Sequence, residues 1–109
     1  MIEPTMRAQM GRTLEDLMDV DPRLVVVLAD ISTGYIERPA TTHPDRVINV
    51  GIMEQTAISL AAGFALEGFV PVVHSIAPFL VERPFEQIKD DFCYQWLGVN
   101  FISIGASYD

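Results

Sequence analysis

The residues best placed to do chemistry in this sequence lie in Asn49-Val50-Gly51-Ile52-Met53-Glu54-Gln55, where a short apolar run ends, a glycine turns and a carboxylate opens an Ala-rich stretch. Open α/β sheets bind ligands at the carboxyl edge of their strands, so an acid there can hold or move a proton for a bound molecule. The same acid also suits a purely structural role, because a first-turn carboxylate complements the positive end of the helix dipole. Three other side chains lie beside expected strand ends: Asp30 after Leu24–Ala29, His74 closing Phe69–His74, and Phe79 in the turn beyond. Histidine titrates near neutrality and can meet a substrate at such an edge, although a lone strand-end His also serves structure. An aromatic in that turn serves equally as core or as pocket wall. Metal chemistry finds no support, since His43 and His74 are far apart and Cys93, the single cysteine, has no CxxC partner. Neither a Walker loop nor a GxGxxG turn is present.

Alternating helices and strands must position these groups. Met6, Met10, Leu14, Leu17 and Met18 form one stripe of a first helix from Thr5 to Met18. Asp21-Pro22 breaks it, and Leu24-Val25-Val26-Val27-Leu28-Ala29 reads as a strand buried on both faces, as in a parallel sheet covered by helices. Asp30 to Asp45 shows neither period and reads as a long loop, a feature that in small domains is often functional. A strand at Arg46–Val50, a helix at Met53–Glu67 and a strand at Phe69–His74 follow, with Gly68 ending the helix and Pro71 near the start of the strand. Ser75–Phe79 reads as a turn. Phe85, Ile88, Phe92 and Trp96 then follow helical spacing behind Pro84, and Val99–Ile104 is the last strand. The order α, β, β, α, β, α, β with right-handed crossovers predicts a three-layer α/β/α sandwich on a mostly parallel sheet. A last strand with no covering helix points to an incomplete domain or to part of an assembly.

The chain has 109 residues, 15 acidic against 7 basic, for a net charge of −8, and half of it is hydrophobic. That is enough apolar material for one folded domain over residues 1–109. A pI near 4.5 without a basic cluster argues against nucleic-acid binding. Met1-Ile2-Glu3-Pro4 carries no secretory leader, and no apolar run approaches the roughly 20 residues that span a bilayer. A single cysteine fits a reducing cytoplasm.

The stretch VINVGIMEQTAISLAAGFALEGFVPVVHSIAPFL, from Val47 to Leu80, resembles the pyrimidine-binding domain of the transketolase family, whose members use thiamine diphosphate. The resemblance implies that Glu54 hydrogen-bonds the pyrimidine N1′ of the coenzyme, favouring the 4′-imino tautomer that takes the thiazolium C2 proton. It also implies a cofactor wall of Ile52, Phe79 and Phe85, with Phe79 stacked on the ring; Phe85 belongs to the helical core stripe as well. Arg7 matches an arginine that meets the phosphate end of a sugar, a task suited to its planar fork. Asp30 matches an acid after the first strand; His74, from its strand-end position alone, is a further candidate for the substrate side. The sequence departs from the pattern at Gly34, where the family has a serine, at Glu82 in place of an aromatic, and at Tyr108, near the family's substrate histidine.

In this family the diphosphate and its Mg²⁺ are held by a second domain with a GDG motif, absent from this sequence. The resemblance therefore implies a partner domain or subunit carrying that motif, an active site at the interface between the two, and a homo- or hetero-oligomer, with a dimer as the simplest form. The expected reaction is transfer of a two-carbon ketol unit between sugar phosphates. The spacing from GIMEQ through EGFVPVV to Phe79-Leu80 resembles deoxyxylulose phosphate synthase, which decarboxylates pyruvate before carboligation, more closely than the classical single-chain transketolases. A non-catalytic α/β assembly or regulatory module is the alternative of another class.

Overall fold

The computed structural model describes residues 5–106. Helix α1 (Met6–Val20) starts where the Thr5 hydroxyl accepts from the Ala8 amide at 3.1 Å, and it buries Gly11, Leu14 and Met18. β1 (Leu24–Leu28) is buried at every position. The segment read as a loop contains a 3₁₀ turn at Thr33–Tyr35 and a helix, α2 (Glu37–Thr42). Six residues are too few to display a helical period, and tertiary packing decides this element: Ile36 and Pro39 are buried.

β2 (Val47–Asn49), α3 (Glu54–Leu66) and β3 (Val70–Ile76) follow the expected order. Ser75–Phe79 is not a free turn, because β3 runs to Ile76 and α4 (Ala77–Val81) begins at once with Pro78 in its first turn. After Pro84, a short α5 (Phe85–Gln87) widens into a π-helical turn over Ile88–Cys93, where the Tyr94 amide reaches back five residues to the Lys89 carbonyl at 2.8 Å. The widening breaks the even spacing of the expected stripe. Phe92 is buried, but Phe85 is 61% and Trp96 93% exposed, so neither joins the core as the spacing predicted. Trp96 has left the helix at φ 58°, and Leu97 packs on the core instead. β4 (Asn100–Ile104) ends the sheet.

All three strand pairs are parallel, in the order β2-β1-β3-β4, so the sheet is parallel throughout its described part. The pleat divides its side chains between two cores. Val27 and Val73 meet Ala57, Ile58, Ala61, Leu80 and Phe92 on one face, whereas Leu24, Val26, Leu28 and Val72 meet Leu14, Met18 and Ile36 on the other. These are the expected three layers. On the α1 side of β4 an open apolar groove remains, lined in part by Met10, Leu17, Val72 and Ile102. Among the described residues no helix is long and apolar enough to cross a membrane.

Candidate functional site

β1 leads to β2 on one side of itself, and the chain then returns to β3 on the other, so the strand order reverses beside β1. At such a switch point the loops leave in opposite directions and open a crevice at the carboxyl edge. Asp30, Asn49, Glu54 and Phe79 follow or end the three strands that meet there, and His74 lies two residues before the end of β3. Asn49 ties two of the loops together. Its Oδ1 accepts from the Asp30 amide at 2.9 Å and the Gly51 amide at 3.0 Å, while its Nδ2 donates to Asp30 Oδ1 at 3.2 Å.

Gly51 holds φ at +79°, a conformation that costs a side chain strain even though a Cβ would meet no neighbour within 4 Å. Gly51→Ala is therefore expected to lower stability by about 1 kcal/mol through the backbone alone, seen as a lower urea midpoint with an unchanged slope. This turn delivers Glu54 to the head of α3, a helix that packs on β1 and β3. The helix dipole favours a carboxylate there.

Glu54 is buried, at 3% exposure. Its Oε1 accepts from Arg83 Nη1 at 2.9 Å, and the same guanidinium lies over the Phe79 ring, 3.8 Å from the centroid. A buried carboxylate and an aromatic face thus converge on one flat, N–H-bearing group. A carboxylate and an aromatic face so placed are groups that could hold a planar, N–H-bearing heterocycle.

Residues 2–109 match the family described as "Transketolase, pyrimidine binding domain". The chain belongs to this family. Among similar proteins are the "Uncharacterized 33.6 kDa protein in fasciation locus" of Rhodococcoides fascians, 52% identical over 91% of this chain and 32% of that protein, and an apulose-4-phosphate transketolase subunit of Actinobacillus succinogenes, 47% identical over 78% of this chain and 28% of that one. A solved structure described as "Split gene transketolase, inactive beta4 tetramer" superposes with a TM-score of 0.77 at 32% identity, covering 88% of this chain and 33% of the other. The chain spans about a third of the length of these proteins.

The remaining residues expected from the transketolase-family pattern fall in different surroundings. Ile52 is 70% exposed in the turn before Glu54, and Phe85 is exposed at the start of α5, two residues after Arg83. Asp30 is exposed, with φ 63°. Arg7 is half-buried on α1, its guanidinium 5.4 Å from the Tyr35 ring centroid, and its charge is felt by His74. Gly34 is exposed within the 3₁₀ turn; Glu82 is exposed beside Arg83; Tyr108 lies outside the described residues.

His74 is fully buried rather than open at the edge. Its Nδ1–H donates to the Ile102 carbonyl at 2.6 Å, which leaves Nε2 to accept from the Ser32 hydroxyl at 2.9 Å. In this transketolase-family domain it contacts the frame of the crevice and fixes Ser32, which sits at φ 62°. Burial, with the positive charge of Arg7 nearby, holds the His74 pKa below its ordinary value of 6.5, the bond to Ile102 opposing. The unfolded chain binds this proton near pH 6.5 while the native state resists it. The stabilisation is thus fully present above about pH 6.5 and is lost as the pH falls through and below that value. Urea midpoints taken between about pH 7.5 and pH 5.5 should decline towards acid, and His74→Gln should flatten that decline; an equally steep decline in the variant counts against His74 as the source.

Sequence reasoning assigned no role to Arg83 or to the side chain of Asn49. A signal for each exists: Arg83 stands four residues after Phe79, the spacing of facing side chains on a helix, and Asn49-Val50-Gly51 has the form of an Asx turn. Among the described residues no group of three or more His, Cys, Asp or Glu side chains converges as a metal site.

Proposed function

We propose that this domain seats the aminopyrimidine ring of thiamine diphosphate within a transketolase-like enzyme that moves a two-carbon ketol unit between sugar phosphates. The observation that carries the reading is the buried Glu54 carboxylate facing the same flat seat as the Phe79 ring. When bound, the coenzyme supplies the carbanion chemistry that ketol transfer needs. Glu54 holds the proton at the ring nitrogen, where burial and its fixed position at the head of α3 strengthen the hydrogen bond. Phe79 gives the ring a stacking face. Ile52, in the exposed turn before Glu54, and Phe85, exposed beyond Arg83, would complete the wall of the ring's pocket. Arg7, steadied on Tyr35, offers a planar cation to a sugar phosphate, and Asp30, pinned by Asn49, faces the hydroxyl end of that substrate.

The diphosphate and Mg²⁺ belong, in this proposal, to a GDG-bearing domain or subunit that meets the carboxyl edge. The similarity to a transketolase subunit and to a split-gene transketolase supports a divided architecture. The test is thermal stability with thiamine diphosphate and Mg²⁺ in the presence of the diphosphate-binding polypeptide, followed by assay of ketose-phosphate cleavage against pyruvate decarboxylation. A ligand that binds only the native assembly raises its melting temperature by mass action. Cleavage of the ketose phosphate supports the reading, decarboxylation replaces it with a deoxyxylulose phosphate synthase-like reaction, and no shift at all leaves only an assembly module.

A further inference from the structure

We infer that Arg83 is a place-holder for the coenzyme ring: its guanidinium fills the seat between Glu54 and Phe79 and must leave before the pyrimidine enters. The inference rests on the proposed function, and it concerns a residue that the function itself does not require. A guanidinium is flat, stacks on aromatic faces and offers N–H groups in its plane. Those properties are shared with an aminopyrimidine bearing a proton on its ring nitrogen. Arg83 uses both of them at once, 2.9 Å from Glu54 Oε1 and 3.8 Å from the Phe79 centroid. One group reaching both partners identifies the filled position as the seat itself, since two flat groups cannot occupy the same face of the ring.

The arrangement is also reversible. The Arg83 side chain is 47% exposed against 4% for Glu54, so the arginine can swing into water while the carboxylate stays in place. Its backbone remains anchored as it does so, because the Arg83 carbonyl accepts from Gln55 Nε2 at 3.4 Å, one residue along α3 from Glu54. Without the coenzyme, Arg83 neutralises a buried carboxylate that would otherwise be unpaired, and it covers an aromatic face that water would otherwise wet. With the coenzyme, both contacts are surrendered, and the measured affinity is reduced by the fraction of molecules in which the seat is closed.

The experiment is calorimetric titration of thiamine diphosphate with Mg²⁺ into the full-length chain assembled with its diphosphate-binding subunit, together with melting temperatures of the ligand-free protein. Arg83→Met should melt lower without ligand yet bind the coenzyme about tenfold more tightly, because contacts of the cation–π and ion-pair kind no longer compete. Arg83→Lys keeps a charge for Glu54 but no plane for Phe79, so its ligand-free melting temperature should return towards wild type while its affinity stays above it. A merely structural arginine would move stability and affinity in the same direction in both variants, and that result overturns the inference while leaving the coenzyme site intact. Absence of binding by wild type and both variants overturns the proposed function and this inference together. If Arg83→Met does not fold, the Arg83→Lys comparison decides by the same criteria.

Discussion

Glu54→Gln is expected to reduce turnover of the assembled enzyme by roughly 10²- to 10⁴-fold, the range over which a positioned proton-transfer group acts, while leaving the fold in place. The amide has the same shape and size, and its oxygen can still accept from Arg83, whose distance to Glu54 is 2.9 Å. What it cannot do is exchange a proton with a ring nitrogen. The structural cost should be small. Arg83 is about half exposed, so the ion pair is screened by solvent and its loss, with the helix-dipole contribution, amounts to about 1 kcal/mol. Turnover and urea unfolding measured on the same preparation check both halves. Near-normal turnover would remove Glu54 from the chemistry and leave it as a helix-start acid, whereas a collapse of the unfolding transition would make any loss of activity uninformative about protons. Glu54→Asp provides a second measurement: it keeps the acid but draws it back from the seat, so activity should fall with stability again nearly unchanged.

Gly11→Ala should produce the largest loss of stability among the single substitutions of glycine. A Cβ at this position on α1 would collide with the Tyr35 carbonyl oxygen, a backbone atom that cannot turn aside as a flexible side chain would. The segment it would push is braced by the Tyr35 amide on the Ser32 carbonyl at 3.0 Å and by the Ile36 amide on the Thr33 carbonyl at 3.1 Å. Overpacking of this kind typically costs about 1–3 kcal/mol, and here it would also shift Ser32 away from His74 and Tyr35 from beneath Arg7. Gly63→Ala is the contrasting control. That glycine lies on the exposed side of α3 with nothing within 4 Å of the new methyl group, so helix propensity should raise stability by up to about 1 kcal/mol. Equal effects of the two substitutions in chemical denaturation would show that α1 and the 3₁₀ turn do not touch as described. On the proposed function, Gly11→Ala should weaken substrate affinity more than coenzyme affinity, because Arg7 lies on the displaced α1 face whereas Glu54 and Phe79 belong to α3 and α4, which pack on the other face of the sheet.

Local sequence determined every element long enough to show its own period. The stripe of α1, the unbroken apolar run of β1, the small residues of α3 and the Gly68 stop are short-range instructions, each readable within one or two turns of chain. They place a carboxylate at the carboxyl edge of a parallel sheet, and with the GIMEQ stretch they carry the family. Tertiary structure decided the rest, because it depends on groups far apart in sequence. Glu54 meets Arg83 across 29 residues, and His74 meets Ser32 across 42. The helix after Pro84 widens once, over Ile88–Cys93, and has ended before Trp96, so Phe85 and Trp96 are exposed against their spacing, and α2 exists because Ile36 and Pro39 have a core to enter. A pattern of residue types fixes which face a side chain takes on its own element; which partner it finds there is set only when the elements pack.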